Sequence, residues 1–449
     1  MINRFDIPEL KALQSPTGII RLPPEVDIPV TSRVMNLIDT SAFRRLMHIS
    51  QLGLVSQIYP GATHSRFEHS LGVYRNGLLF LQRLCGVSEF IQSVSTSDAE
   101  LLIVAGLLHD VGHWPFCHPI EDMRLNGIER HERLARCYLF DSALADLLDR
   151  EWGLSVESII ELLAPADKSN PRHPLLGSIL SGPIDIDKLD YLDRDSLHAG
   201  VPYGRNFDRS RLISQLCVGP DGKSLAITDK ARTAAEMMVF ARYVMFSEVY
   251  WHHAVRSATS MLQRAIWELL SSPQGKDKGG VHLLNSWQTL SESDFIVKLR
   301  ESASGMPFEL LTEGLFGTRR ELYKRLAEFH SLETPALHAA LARRPYEELV
   351  EIGNQVAERL ACEAKIEIKP TDLLIDAPPI KLEVQFNVQV RQNSGDFLSL
   401  GELSPVAKTL ASQQFDSIVK RVRIFVAPQL RNTLKALDIV ESLHRVLAL

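Results

Sequence analysis

From Leu101 to Leu108 the chain reads Leu-Leu-Ile-Val-Ala-Gly-Leu-Leu, and it ends this apolar run on the adjacent pair His109-Asp110. The run reads as a helix: Ser97 can cap its start, with Glu100 three residues on as the reciprocal partner of a capping box. Leu101, Leu102, Ala105 and Leu108 recur at helical spacing and demand burial of one face. Gly112 and Pro115 break the helix just beyond. An imidazole and a carboxylate are thus delivered side by side from a rigid, enclosed element, an arrangement suited to a divalent cation. Two more histidines, His113 and His118, follow at once.

A length of 449 residues exceeds one ordinary domain, and 45% hydrophobic content is enough for a sizeable core. With 49 basic against 55 acidic residues the net charge is -6, so no basic excess points to nucleic acid as a partner. Five scattered cysteines without a CxxC pair fit reduced thiols better than a disulfide framework. No apolar run approaches a membrane span, and Met1–Asp6 lacks a signal-peptide pattern. A cytoplasmic protein is the expectation.

Prolines at 8, 16, 23, 24 and 29 make residues 1–35 an irregular arm with short extended pieces. Helical spacing follows from Thr31 to about Gly53, and Ser65 opens another helix that runs to Cys85-Gly86 and carries His69 in its first turns. Between Ile184 and Asp195 charged and apolar residues alternate irregularly; at helical spacing Asp187, Tyr191 and Asp195 share a face. A long helix is expected from about Ala231 to Leu270, with Arg242, Phe246 and Tyr250 on one side. Past about Met306 the composition shifts: Lys381–Val390 alternates apolar and polar residues as a half-buried strand does, Asn393-Ser394-Gly395 is a turn, and Val422–Val426 is a second strand. The expected fold is mostly α, a helical core over 36–305 with a smaller α+β lobe over 306–449.

Four candidate metal ligands then stand on three helices: His69, His109, Asp110 and Asp187. Two imidazoles and two carboxylates suit Mg, Mn, Fe or Zn alike. Around them lie acid–base candidates His113, His118 and His131 and the cations Arg66, Lys188 and Arg242. Hydrolysis of a phosphate ester uses every part of such a set: activated water, cations on phosphate oxygens, and an imidazolium for the leaving oxygen.

Three stretches in order, Arg66-Phe67-Glu68-His69, His109-Asp110-Val111-Gly112-His113 with His118, and Asp185-Ile186-Asp187-Lys188-Leu189-Asp190-Tyr191, resemble those of HD-domain phosphohydrolases. Within that superfamily the chain looks like the deoxynucleoside triphosphate triphosphohydrolase branch, which includes the enzyme with fused SAM and HD domains. The resemblance implies a helical HD-domain core and water attack on the α-phosphorus of a dNTP, releasing deoxynucleoside and triphosphate. It matches His69, His109, Asp110 and Asp187 to metal ligands, His118 to the general acid, and His113 and His131 to groups beside the phosphates. It matches Arg66, Lys188 and Arg242 to phosphate contacts, Gln51 and Asp195 to the sugar 3′-hydroxyl, Leu52 and Tyr250 to the wall that crowds out a 2′-hydroxyl, and Tyr191 to the floor beneath the sugar. It further implies a homo-oligomer, and leaves room for a nucleotide activator. Two departures stand out: Trp114 replaces a small residue near the acid, where its bulk is expected to narrow the pocket, and Glu121 replaces an aspartate that orients His118. The alternatives are an HD-type phosphodiesterase or nuclease acting on oligonucleotides or a signalling nucleotide, and a non-catalytic nucleotide sensor.

Overall fold

Ser95 caps the apolar helix. In the computed structural model the helix spans Thr96–Leu108, with a capping box between Ser95 and Asp98 in place of the expected Ser97 and Glu100. Both pairs fit the same pattern two residues apart, so periodicity alone does not separate them. The structure describes residues 5–448 except 168, 170, 278, 343, 378–387 and 411–417, and of residue 274 only the backbone.

Thr96–Leu108 is buried on nearly every side, from Leu101 to Leu108 without a gap. Arg66–Leu84 packs along it, opened by the Ser65 hydroxyl accepting from the Glu68 N–H. Ile186–His198, capped by the Asp185 carboxylate, packs against Arg66–Leu84 in turn. Arg66–Leu84 and Ile186–His198 touch closely because of Gly72: a Cβ there would lie 1.8 Å from Asp190 Oδ1. These three helices form the centre of the largest core cluster. The proline-bearing N-terminal stretch covers one side of it with a short helix, Pro8–Ala12, and an antiparallel hairpin pairing Gly18–Leu22 with Val26–Val30. Ile7, Ile28 and Val30 are buried in that same core.

The long helix expected over 231–270 is two helices. Arg232–Met245 runs into a π-helical turn, Phe246–Tyr250, and a new helix, His253–Ser271, starts after Trp251 with the His252 ring accepting from the Ala254 N–H. No Pro or Gly marks the break; it comes from the wider turn and the histidine cap. His253–Ser271 is the spine of a second core, against which Trp114, Trp287, Phe295 and Phe308 pack.

The two strands expected late in the chain belong to different sheets. Most of Lys381–Val390 lies outside the described residues; its end continues as Gln389–Arg391, which pairs parallel with Leu225–Thr228 on the helical body. Asn393–Gly395 is the turn that returns the chain to Phe397–Ser399. Val422–Val426 is instead the middle strand of a three-stranded antiparallel sheet, between Lys324–Phe329 and Leu373–Asp376. That strand is buried at every position, with the Tyr346–Ala364 helix against the sheet. The whole is mostly helical, with a smaller sheet-containing C-terminal region. Among the described residues no helix is long and apolar enough to cross a membrane.

Candidate active site

His69 sits one turn into its helix and is 1% exposed. Its Nδ1 bonds Asp190 Oδ2 at 2.9 Å, which turns Nε2 toward His109. His109, at the end of its own helix, bonds the Gly106 carbonyl through Nδ1 at 2.9 Å and likewise presents Nε2. The two Nε2 atoms lie 3.3 Å apart. Asp187 Oδ1 is 3.1 Å from His69 Nε2 and 4.0 Å from His109 Nε2. These three residues offer ligand atoms within 4.8 Å of one another. Asp110 borders them, with Oδ1 3.2 Å from His109 Nε2 and Oδ2 accepting from Arg66 at 2.8 Å. Imidazoles whose Nδ1 hydrogen bonds fix their orientation, next to carboxylates, are what a divalent cation requires, so the residues fit the metal that HD domains use.

The electrostatics say the same. Burial disfavours a charge on His69, yet its bonds to Asp187 and Asp190 outweigh that and push its pKa up to about 10. Burial likewise opposes the Asp110 carboxylate, but neighbouring His109 and the Arg66 guanidinium hold it well below the ordinary range. So much negative potential around two imidazoles is a field that a cation satisfies. Asp190 is itself clamped by Arg194, whose Nε and Nη2 donate to its two oxygens at 2.8 Å each; Arg194 also reaches Glu68 at 2.6 Å. Asp190 and Arg194 carry no role in the sequence reading. The signal for Asp190 was its place three residues after Asp187, one turn along the same helix.

Just past the His-Asp pair the chain turns sharply. A Cβ on Gly112 would lie 2.0 Å from the His131 carbonyl, so only glycine lets the start of the His131–Leu139 helix approach. Phe116 takes a left-handed conformation, φ 53°, a strained one for a side chain of its size. It is held among Phe295 and Phe316 at ring separations of 5.6 and 5.8 Å. The result gathers three imidazoles: His113 and His131 have ring centroids 3.8 Å apart, and His113 Nε2 is 3.3 Å from His118 Nε2. Burial and nearby Arg66 hold His113 well below the ordinary histidine range, so it is neutral.

Both departures resolve differently from expectation. Trp114 is 1% exposed and packs away from the site beside Phe295, so it narrows nothing. Glu121 holds His131: its Oε1 accepts the His131 backbone N–H at 2.7 Å and both oxygens lie 3.1 Å from Nδ1.

A cavity of 1120 Å³ opens over these groups. His69, His109, Asp110, Asp187, His113, His118, His131, Arg66, Gln51 and Tyr191 line it. Leu52, Lys188, Asp195, Arg242 and Tyr250 do not. Lys188 is ion-paired with Asp185 at 2.5 Å, and Leu52 packs on the main core. Asp195 is bonded to His64 at 2.9 Å and accepts from the Tyr250 hydroxyl at 2.6 Å, behind Tyr191. Arg242, buried, lies close to Lys188, Tyr191 and Tyr250. The cavity extends instead along Gly127–Arg133 and Leu163–Ala166. Arg130 and Arg133, cations on that wall, were not singled out by the sequence; they belong to no motif.

Helices that place histidines and aspartates in this way define a metal-dependent hydrolase of phosphate esters, and the comparisons bear on which kind. Residues 66–195 match the model of the HD domain, and 207–443 that of an HD associated region. An uncharacterised protein of Methanocaldococcus jannaschii is 30% identical over 387 residues, covering 86% of this chain and 74% of that one. The chain therefore belongs to the HD-domain phosphohydrolase family. Chicken (Gallus gallus) deoxynucleoside triphosphate triphosphohydrolase SAMHD1 is 26% identical over 394 residues, which is 80% of this chain and 62% of that enzyme. The crystal structure of a hypothetical protein from Aquifex aeolicus superposes with a TM-score of 0.67 at 27% identity, over 93% of this chain and 99% of that one.

Proposed function

We propose that this protein is a metal-dependent dNTP triphosphohydrolase, cleaving dNTP to deoxynucleoside and inorganic triphosphate. One observation carries the reading: a His/Asp ligand set and a cluster of three further histidines face one 1120 Å³ cavity, with Arg66 between them. The SAMHD1 relatives support the choice of substrate. When bound at His69, His109, Asp110 and Asp187, a divalent cation supplies an acidified water and polarises the phosphoryl group. Arg66, with Arg130 and Arg133 on the cavity wall, meets phosphate oxygens. His118, on the exposed side of the cluster, gives its proton to the 5′-oxygen as the bond to the α-phosphorus breaks. Neutral His113 and Glu121-held His131 accept or donate hydrogen bonds at the departing phosphates. Tyr191, on the cavity wall, floors the sugar. A cytoplasmic homo-oligomer completes the proposal.

A second reading, an HD-type phosphodiesterase acting on an oligonucleotide or a signalling nucleotide, is favoured by one feature. The cavity runs toward Gly127–Arg133, away from Asp195, both of whose oxygens are already bonded within the protein. Chromatography of products from each dNTP and rNTP, with Mg or Mn added, separates the two. Triphosphate release from dNTPs is the expected result; inert dNTPs with a cleaved oligonucleotide would transfer the proposal to the second reading.

A further inference from the structure

The arrangement of nitrogens at the His69–His109 pair occurs a second time in this molecule. His113 and His118 also set their Nε2 atoms 3.3 Å apart. There too Nδ1 atoms are tied off elsewhere, that of His113 beside Asp110 Oδ1 at 3.1 Å and that of His131 on Glu121. Cys117 Sγ joins them, and one ligand atom from each of His113, Cys117, His118 and His131 lies within 4.8 Å of the others. Zinc–nitrogen bonds of about 2.0–2.1 Å and a zinc–sulfur bond of about 2.3 Å give a tetrahedron with edges of roughly 3.3–3.6 Å. The His113–His118 pair is already at that separation, and the ligand atoms of Cys117 and His131 lie within 4.8 Å of that pair.

We infer that His113, Cys117, His118 and His131 form a second metal site, an N3S set for zinc or a similar borderline-soft divalent ion, whose occupation excludes substrate. A thiolate is the distinguishing ligand, since it prefers such an ion over the Mg that a carboxylate centre accepts. Buried Cys117 holds its proton firmly, with a pKa pushed up to about 12, so ligation releases that proton to solvent and affinity comes with proton release. No step of phosphate-ester hydrolysis uses this thiol. An ion here occupies the three imidazoles beside the phosphates, so zinc inhibits. That consequence rests on the hydrolase reading above; the binding itself does not.

The test uses the full chain and two metals. Cobalt(II) titration is expected to give a thiolate-to-cobalt charge-transfer band and a second bound equivalent, both retained in His109→Ala, which damages only the first centre. Cys117→Ser is expected to remove the band and weaken zinc binding at least about tenfold, with hydrolysis in manganese unchanged and zinc inhibition relieved by the same factor. His118→Ala, at an exposed position, checks the binding result should Cys117→Ser fold poorly. A cobalt spectrum lacking the sulfur band, or a band that survives both Cys117→Ser and His118→Ala, overturns the site. A sulfur band in a protein inert toward every dNTP would leave the site standing and sink the substrate assignment.

Discussion

Two buried clusters of acids and cations lie in this molecule, and they are built to opposite ends. At the junction between the His253–Ser271 helix and the C-terminal sheet, Asp376 takes both arms of Arg256, at 2.6 and 3.1 Å. Nearby, Glu328 accepts from Arg421 at 2.6 Å, Arg423 at 2.7 Å and Arg325 at 2.9 Å. There each carboxylate is met by guanidinium donors, and the cluster holds two parts of the chain together. Around His69 the arginines stop one layer out: Arg194 holds Asp190 and Arg66 holds one oxygen of Asp110, while Asp187 and two Nε2 atoms converge on a shared point. Both set carboxylates against arginines away from bulk solvent, so charge content alone does not distinguish a structural cluster from a functional one. Convergence of donors without an arginine at the centre does.

That contrast makes five predictions, the largest first. Asp187→Ala is expected to cut kcat/KM on the order of 10³-fold or more, since several kcal/mol of transition-state stabilisation go with the metal. Its thermal midpoint should move little, measured beside the activity. Arg256→Ala should do the reverse: leaving Asp376 buried and unpaired costs about 3–5 kcal/mol in denaturant unfolding, with metal content per folded molecule unchanged. Equal stability losses in the two variants would erase the distinction between the clusters.

Asp190→Asn sharpens it at an intermediate scale. Loss of the carboxylate behind His69 should weaken metal affinity about 10–100-fold in a chelator competition. Gly72→Ala should act on the same group, because its Cβ would meet Asp190 at 1.8 Å. The smallest effect is on pH. Burial raises the Glu328 pKa but its bonds to Arg423 and Arg421 prevail, lowering it from 4.5 to about 2. A depressed folded-state pKa contributes stability that is fully present above the unfolded value and is lost as pH falls through the folded one. The thermal midpoint should therefore fall between about pH 4.5 and 2, with a shallower slope in Glu328→Gln.

How much of this was legible in the sequence depended on period and proximity. The mostly helical fold follows from apolar spacing, and Ser65 at its cap and Asp187 on its helix are local features. What escaped was set by contacts between distant segments. The break at Trp251–His252 has no proline or glycine to announce it. Lys324–Phe329, on the sheet's edge, is exposed at its first two positions and only half-buried at most of the rest, with no clean alternation to read. Trp114 looked like a pocket residue because the resemblance set it where a small residue stands near the acid, but its ring packs into another core. The hold of Glu121 on His131 is likewise a matter of how the His131–Leu139 helix docks on Gly112.

The turn at Phe116 ties together halves that two family models describe separately. The rings that wedge it, Phe295 and Phe316, come from beyond residue 207, whereas the histidines it positions lie within 66–195. Glu292 reaches back in the same way to the Ser50 N–H at 3.1 Å, next to Gln51. An HD segment cut away from the rest would thus lose the outside rings that wedge the turn carrying His113 and His118.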